Sequence, residues 1–364
     1  MTPRTLFLAV LAFAILGAMS FYFDPLTTSG AVLAAAAAVK TRRDLEIFYH
    51  LRGVALTTNG VITFGKDFPL GEGWYRIVLR WVIDITIGTG AGPIAEGELS
   101  IIKSIVIRTS AGEMLCNLPG RALWKIAVER GGTLPRKDAI AASTGTYAVD
   151  LPIYFADEYM KRPEDTILDT SRYSSISLDI TCGGLADLYT APGTAVLNSV
   201  KLDMEIERTK GRLPRQALPI FHVFYGSAQS QDASVQTFID IDRAPDIAYK
   251  RFLAHASANG VAGGVFTGAN ADDVQFIESI VDQSGDIVRE RIHEMIQNMN
   301  KNDYSLEAVL AGITVFDFVR DGSINSALYP GDRSRLQYKW VNKAGVAAGD
   351  IVSLAFEAVR GLKG

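Results

Sequence analysis

Apolar and polar side chains alternate in short runs along most of the chain after residue 44. Alternation with a period of two puts every second side chain on the same face, which is typical of β-strands with one buried face. One run alternates completely, with charged residues between its apolar positions Val200, Leu202, Met204 and Ile206. The pattern therefore predicts an all-β protein.

Runs rich in Val, Ile, Tyr and Phe, bounded by turn residues, predict strands in both halves of the chain. In the first half, the predicted strands cover residues 75–87, 101–108, 147–155, 175–181 and 200–207. In the second half, they cover residues 221–225, 235–242, 249–256, 274–281, 313–319, 336–341 and 351–359. Residues 209–219 (TKGRLPRQALP) separate the halves, and their basic residues, glycine and prolines predict a linker.

The two halves repeat one order of elements. An Ile-x-Ser-Ile-Val strand begins at Ile102 and again at Ile277, and a turn with an acidic residue follows each. A helical pattern comes next, over residues 121–130 in the first half and about residues 288–300 in the second, and three strands then complete each half. Because these elements, a helix included, follow in the same order, we predict two copies of one domain.

Short strands interrupted by one helix fit an antiparallel jelly roll, whereas paired immunoglobulin-like domains would not carry the repeated helix. We therefore predict an all-β double jelly roll, with two tandem jelly-roll β-sandwiches, short helical insertions and an N-terminal apolar helix. The predicted boundaries are 1–44 for the apolar N-terminal segment, 45–210 for the first jelly roll, 211–219 for the linker and 220–364 for the second.

The N-terminal segment has the composition of a membrane-contacting helix. Residues 5–23 carry no charge, and as a helix they would rise about 28 Å, close to the hydrocarbon thickness of a bilayer. A second apolar stretch, residues 30–39, precedes a basic cluster that suits anionic lipid headgroups or a helix C-terminus. Three interpretations remain open: membrane contact, a cleaved secretory signal, and a helix buried against partner proteins.

Membrane contact is the interpretation that we develop. Its predicted contact residues are Leu6, Phe7, Leu8, Leu11, Phe13, Ile15, Leu16, Phe21, Lys40, Arg42 and Arg43.

Composition argues against nucleic-acid binding and against catalysis. The formal net charge is −4, so the folded body lacks the basic balance of a general nucleic-acid binder. The sequence contains no HExxH, GxSxG or P-loop motif, and we expect structural or solvated roles for its four histidines, His50, His222, His255 and His293. Cys116 and Cys182 lack metal-type spacing and predict buried free thiols.

Two weaker candidates for binding remain. Clustered carboxylates can bind Ca²⁺, and the clusters in this chain are Asp240 with Asp242 and Asp272 with Asp273, although their spacing is unlike that of an EF-hand. We therefore predict no cofactor, with Ca²⁺ as the one candidate. Tyrosines in polar loops are candidate contacts between copies of the chain; they are Tyr159, Tyr189 and Tyr329.

Several stretches of the second half carry a family resemblance. It has a Gly-Asp turn at residues 285–286, a helical pattern over 287–300, the stretch NDYSLE at 302–307 and an FDF triplet at 316–318. The endings LQYKWV and VSLAFEAV, and the opening TFIDIDRAPDIAYKRFLAHA, complete the pattern. This half resembles the C-terminal jelly roll of the major capsid proteins of membrane-containing icosahedral bacteriophages, above all the corticovirus type of the tectivirus-related lineage. The resemblance extends over about residues 75–360.

The resemblance implies a viral structural protein and no enzyme. It implies a homotrimer that forms a pseudo-hexagonal tile of an icosahedral virion shell around an internal lipid membrane. The implied partners are neighbouring capsomers, the viral membrane, and penton and minor capsid proteins, without sequence-specific nucleic-acid binding. The implied location is the virion capsid and, before assembly, a host membrane. The apolar N-terminus departs from the corticovirus pattern, whereas tectivirus-like relatives place an N-terminal helix at the membrane.

Other classes of protein remain open at this stage. A membrane-anchored or exported β-sandwich binding module, of carbohydrate or surface-layer type, would use residues 5–23 as a signal or anchor, but it does not need the repeated helix. A β-sandwich hydrolase would need an acid–base pair that the sequence does not display. A minor capsid or spike protein of the same virus type is a further candidate; penton proteins usually carry a single jelly roll, so the duplication favours the hexagonal tile.

Deletion of residues 1–40 tests the role of the N-terminal segment. We expect both sandwiches to stay folded and membrane association to be lost, because the segment supplies the apolar contact area. Circular dichroism and flotation with lipid vesicles measure the two properties. A truncated chain that aggregates without native β-structure would assign the segment to the protein core instead.

Overall fold

The structure is a computed structural model that describes residues 45–65, 68–89, 92–94, 96–131, 135–157, 166–209, 220–229, 236–241, 246–257, 277–282, 287–303, 313–320, 323–330, 336–341 and 351–360. By its internal contacts, the chain divides into a unit of residues 1–46 and a unit of residues 47–364. The two sandwiches belong to the second unit.

In the part of the first half that the structure describes, strands alternate with two helices. The strands are β1 Leu45–Ala55, β2 Gly60–Phe64, β3 Gly73–Thr86, β4 Gly92–Pro93, β5 Ile102–Thr109, β6 Met114–Leu118, β7 Gly145–Tyr154, β8 Leu168–Asp169, β9 Ile176–Cys182, β10 Tyr189–Ala191 and β11 Val196–Thr209. The helices are α1 Gly97–Ser100 and α2 Gly120–Gly131, with 3₁₀ turns at Thr170–Arg172 and Leu185–Asp187.

Within its described residues, the second half repeats this composition with fewer short elements. Its strands are β12 Phe221–Gln229, β13 Gln236–Ile241, β14 Ile247–Ser257, β15 Ile277–Asp282, β16 Ile287–Ile292, β17 Ile313–Asp317, β18 Leu336–Val341 and β19 Ile351–Arg360. Its helix is α3 His293–Asp303, and a 3₁₀ turn covers Ile324–Ser326.

Strand order identifies both halves as jelly rolls. In the first half, β1-β11-β3-β7 form one sheet and β2-β9-β5-β6 lie in the other; in the second half, the corresponding orders are β12-β19-β14-β17 and β13-β18-β15-β16. If the eight main strands of each half are numbered along the chain, both halves have sheets of order 1-8-3-6 and 2-7-4-5. The predicted all-β double jelly roll is therefore confirmed.

One sheet continues from the first jelly roll into the second. Strand β6 pairs with β12, so that the order β17-β14-β19-β12-β6-β5-β9-β2 forms a single eight-stranded sheet. This pairing is parallel, with His222 opposite Cys116 and Val223 opposite Asn117. The shared sheet fixes the two sandwiches side by side.

Alternation along the strands builds the core of the first sandwich. The predicted buried face of β11 is confirmed, because its four apolar positions are at most 1% exposed; they are Val200, Leu202, Met204 and Ile206. They lie beside the buried positions of the paired strand β3, where Trp81 donates a hydrogen bond from Nε1 to the Glu98 carbonyl oxygen at 2.8 Å. Burial of each large apolar side chain contributes about 1.5–3 kcal/mol to folding, so this face drives the assembly of the sandwich.

The repeated helix occupies the same place in each half. Helix α2 follows β6 and packs against β7, and helix α3 follows β16 and packs against β17. The predicted start of the second helix is wrong, because residues 287–292 form strand β16. Pairing of this segment with β15, from Ile292 opposite Ile277 to Ile287 opposite Val281, overrides its helical pattern, since tertiary pairing outweighs weak local propensity.

The domain boundaries remain predictions. The last strand of the first jelly roll ends at Thr209 and the first strand of the second begins at Phe221. The predicted linker 211–219 and the apolar segment 1–44 lie outside the described residues.

Candidate functional site

The two sandwiches meet at a buried interface, which we name the junction. It comprises β6 and residues 154–157 of the first sandwich, and the outer face of the β12-β19-β14-β17 sheet, which is the face directed away from the core of the second sandwich. Besides the β6–β12 pairing, the Ile220 amide donates to the Phe155 carbonyl oxygen at 3.0 Å. Backbone hydrogen bonds therefore cross between the sandwiches at two places.

Apolar side chains of the second sandwich join the core of the first. Phe221, Leu253, Val315 and Ala355 are 3–7% exposed and belong to the packed cluster of the first sandwich. Their neighbours along the same strands, such as Phe252 and Phe356, belong to the separate cluster of the second sandwich. Both faces of the β19-β14-β17 sheet are therefore covered.

A row of charged side chains lies on the same outer face. Strand pairing sets Arg251 opposite Asp317 on one side and opposite Glu357 on the other. Arg251 Nε lies 3.0 Å from Asp317 Oδ2, and Arg251 Nη1 lies 3.5 Å from Glu357 Oε2. All three side chains are at most 6% exposed, so the junction encloses charges that a solvated sheet face would leave in water.

Two further contacts connect this row to the first sandwich. Lys250, which is fully buried, forms an ion pair with Asp157, which is 3% exposed. His222 Nε2 donates to the Tyr154 carbonyl oxygen at 2.6 Å, and His222 Nδ1 lies 3.5 Å from Glu357 Oε1. His222 therefore has the structural role that the sequence predicts for it.

The position of Asp157 is fixed by its own loop, because its backbone amide donates to Thr166 Oγ1 at 2.7 Å. Removal of charges from water is costly, so a buried ion pair adds little net stability, but the loss of one partner leaves an uncompensated charge. The pair of Lys250 and Asp157 thus favours one arrangement of the two sandwiches over others.

A second buried charged cluster lies inside the first sandwich and fixes helix α2. Glu96 Oε2 lies 2.7 Å from Arg121 Nε and 3.3 Å from Lys125 Nζ. Burial alone would raise the pKa of Glu96, but Lys125, Arg121 and Lys137 outweigh it and hold that pKa below its usual value. Burial lowers the pKa of Lys125 to about 8, with Glu96 opposing the shift. The cluster ties α2 to the segment before α1.

The outer face of the β11-β3-β7 sheet in the first sandwich is more open to solvent. Arg76 Nη2 lies 2.6 Å from Glu207 Oε1, and Arg76 Nη1 donates to the Tyr154 hydroxyl at 3.0 Å. Arg80 Nε lies 3.4 Å from Asp150 Oδ1. A depression of about 280 Å³ on this face is lined by Leu51, Arg52, Val78, Arg80, Asp150, Asp203 and Glu205.

The residues predicted to contact a membrane all lie outside the described residues. They are Leu6, Phe7, Leu8, Leu11, Phe13, Ile15, Leu16, Phe21, Lys40, Arg42 and Arg43. Among the helices that the structure describes, none is both long and apolar enough to cross a bilayer. Membrane contact therefore stays a prediction.

The calcium candidates do not come together in the described part of the chain. Asp240 is exposed on β13, where its Oδ1 accepts a hydrogen bond from Gln337 Nε2 at 2.6 Å. Asp242, Asp272 and Asp273 lie outside the described residues. Within the ranges that the structure does describe, no group of three His, Cys, Asp or Glu side chains is placed to hold a metal ion.

Of the three tyrosines predicted to be contacts between copies of the chain, the structure describes Tyr189 and Tyr329. Tyr189 is wrong as a contact between copies, because it is 1% exposed and its hydroxyl donates to the Ala141 carbonyl oxygen at 3.1 Å. Tyr189 begins strand β10, which pairs with β4, and its polar sequence context does not reveal this burial. Tyr329 is half-buried and packs against the small cluster that contains Val319, whereas Tyr159 lies outside the described residues.

The cysteines and His50 have structural roles. Cys116 and Cys182 are free and buried, as predicted, and burial raises the pKa of Cys116 to about 12. His50 stacks on Phe68 with ring centroids 4.6 Å apart. The structure does not describe the side chains of His255 and His293.

Sequence reasoning missed the charged residues of the junction. Four of them interrupt otherwise apolar strands: Lys250 and Arg251 precede FLA, Asp317 lies within VFDFV, and Glu357 lies within LAFEAV. A charge inside an apolar run is costly to bury without a partner. That signal could have marked these positions as facing another packed surface.

Comparison of the fold with solved structures gives matches over nearly the whole chain. The crystal structure of the STIV MCP matches with a TM-score of 0.68 at 14% identity, covering 87% of this chain and 97% of that chain. The major capsid protein P2 of bacteriophage PM2 matches with a TM-score of 0.56 at 14% identity, covering 88% and 99%. The Faustovirus major capsid protein matches with a TM-score of 0.55 at 8% identity, covering 87% and 90%.

Sequence comparisons add nothing to this result, because no protein-family model and no curated protein sequence matches the chain. At such low identities, the structural matches show the fold. The class that the fold defines is the double jelly roll, and the solved structures that share it with this chain include viral major capsid proteins.

The ion pair at the junction can be tested by removing one partner and then both. We expect Lys250→Met to lower the free energy of unfolding by about 3–5 kcal/mol, because Asp157 stays buried without its partner. The double variant Lys250→Met, Asp157→Leu should recover most of this loss. Urea-induced unfolding, followed by tryptophan fluorescence, measures both effects.

The matched control for this prediction is Arg136→Met, which removes an exposed ion pair with Asp138. Such an exposed pair contributes little to stability, because water and salt screen the attraction between its charges. If Lys250→Met destabilised the protein no more than this control, the junction would not depend on the buried pair.

Proposed function

We propose that this chain is a major capsid protein that forms a tile of an icosahedral virion shell. The observation that carries the proposal is that two jelly rolls form one unit, joined by a shared eight-stranded sheet and a buried charged junction. A shell protein needs such a unit, because its shape must be the same in every copy. The likeness to viral major capsid proteins supports the same function.

Symmetry determines how many copies of the chain form the proposed tile. Head-to-tail contacts generate closed rings when the rotation between copies closes. Three copies of a chain with two similar sandwiches place six sandwiches around a ring, so we propose a homotrimer that fills a pseudo-hexagonal position. Neighbouring tiles and the penton and minor capsid proteins of the same particle are then its partners. The role is structural and not catalytic.

The N-terminal segment completes the proposal. Its uncharged stretch and the basic cluster at residues 40–43 have the composition for contact with an anionic lipid surface. We propose that they contact an internal membrane of the virion, and a membrane of the host cell before assembly. A binding module of carbohydrate or surface-layer type is less well supported, because such a module has no need of a duplicated, rigidly joined pair of jelly rolls.

Density-gradient sedimentation tests the proposed function directly. Cells that produce the chain together with its native gene neighbourhood are lysed, and the gradient fractions are probed for the protein, lipid and DNA. We expect all three to co-migrate in one large and homogeneous particle. A protein that sediments slowly, or only with ordinary cell envelope, would contradict the proposal and favour an anchored binding module.

A further inference from the structure

Four polar side chains form a row across the junction face of the second sandwich. Strand pairing sets His222 on β12 opposite Glu357 on β19. Glu357 is in turn opposite Arg251 on β14, and Arg251 is opposite Asp317 on β17. Residues that are directly opposite on neighbouring strands point to the same face of a sheet. All four are at most 5% exposed, so the row is enclosed within the protein.

The signs of charge along this row indicate the protonation state of His222. Arg251 lies between two carboxylates, 3.5 Å from that of Glu357 and 3.0 Å from that of Asp317. Two carboxylates and one guanidinium leave a net negative charge if His222 is neutral. An imidazolium at His222 makes the charges alternate along the whole row and brings their sum to zero. Because an uncompensated charge is costly to bury, the row favours the protonated form.

The hydrogen-bonding geometry of His222 leads to the same form. Its Nε2 lies 2.6 Å from the Tyr154 carbonyl oxygen, and its Nδ1 lies 3.5 Å from Glu357 Oε1. A neutral imidazole has one N–H donor and one nitrogen lone pair, so either neutral tautomer would direct its lone pair at one of these oxygens. An imidazolium carries a proton on both nitrogens and fits both contacts.

The titratable groups on the elements packed against His222 are compatible with a positive charge there. On β6, the opposite residue is Cys116, and burial raises the pKa of this thiol to about 12, which keeps it uncharged. The cations on neighbouring elements already have acidic partners; they are Lys250 with Asp157, and Arg76, which contacts the Tyr154 hydroxyl, with Glu207.

We propose that the junction binds one proton at His222 and that this proton makes the joining of the two sandwiches dependent on pH. The inference goes beyond the proposed function and does not require that the chain form a shell. It assigns to His222 the role of a titratable contact between the sandwiches, in addition to its hydrogen bond across the junction.

The direction of the pH dependence follows from which form the folded chain prefers. In an unfolded chain, histidine loses its proton near pH 6.5, whereas the row keeps the proton on His222 to a higher pH. The stabilising contribution of His222 is therefore complete below about pH 6.5, and it is lost as the pH rises to the value at which the folded chain releases the proton.

Raman spectroscopy of the purified full-length chain, in detergent and D₂O, tests the protonation state directly. At about pD 8 an ordinary histidine is neutral, so we expect the signal of one imidazolium among the four histidines of the chain. His222→Gln should lose this signal. The matched control is His50→Gln, at a histidine that stacks on Phe68, and it should keep the signal.

Urea-induced unfolding between about pH 5.5 and pH 9 tests the effect on stability. The ratio of the unfolding equilibrium constants of the unaltered chain and His222→Gln cancels the titrations that both share. We expect this ratio to rise by up to about tenfold per pH unit above about pH 6.5, as the release of one proton requires. The corresponding ratio for His50→Gln should show no comparable rise.

A second variant decides the result if His222→Gln does not fold. Glu357→Gln removes the anion beside His222 and leaves Arg251 paired with Asp317, so the charges of the row are balanced with a neutral histidine. We expect this variant to lose the imidazolium signal at about pD 8, although its histidine is unchanged.

Three results would overturn the inference. The first is an unaltered chain without an imidazolium signal at about pD 8. The second is a signal that persists in His222→Gln or in Glu357→Gln, because the proton would then lie elsewhere. The third is a ratio of unfolding constants that does not change with pH. None of these results depends on whether the chain forms particles, so the proposed function is decided separately by sedimentation.

Discussion

The buried junction between the two sandwiches is the constraint on which the rest of the structure depends. Lys250 pairs with Asp157 away from solvent, and Arg251 is enclosed with its two acidic partners on the same sheet face. Lys250 and Asp157 are paired only in one relative placement of the two halves, since any displacement leaves each charge without its partner in a medium of low polarity. Apolar burial stabilises each sandwich, whereas the junction selects how they are combined.

Duplication explains why one chain presents two similar but unequal surfaces. Both halves have sheets of strand order 1-8-3-6 and 2-7-4-5, with a helix after the fifth main strand. The outer face of the second 1-8-3-6 sheet is covered within the chain, and the equivalent face of the first is half-open.

The fold was largely predictable from sequence, because sandwich strands with one buried face impose a period of two; the alternation around Leu202 is the clearest case. The short strands β6 and β16 were not predictable, since a pattern of five or six residues next to a helix is too short to distinguish a strand from a helix. The contacts of the junction could not be predicted from the sequence, for a different reason. Lys250 and Asp157 are 93 residues apart, and alternation does not tell which outer face of a sheet another domain will cover.

The measurement that tests the account most directly is cryo-electron microscopy of the particle that contains this protein. The account predicts a closed shell whose hexagonal positions each hold three copies of the 39.4 kDa chain, seen as six upright sandwiches around a pseudo-six-fold axis. Hexagonal positions built from six copies, or the protein found in a structure other than the shell, would contradict it.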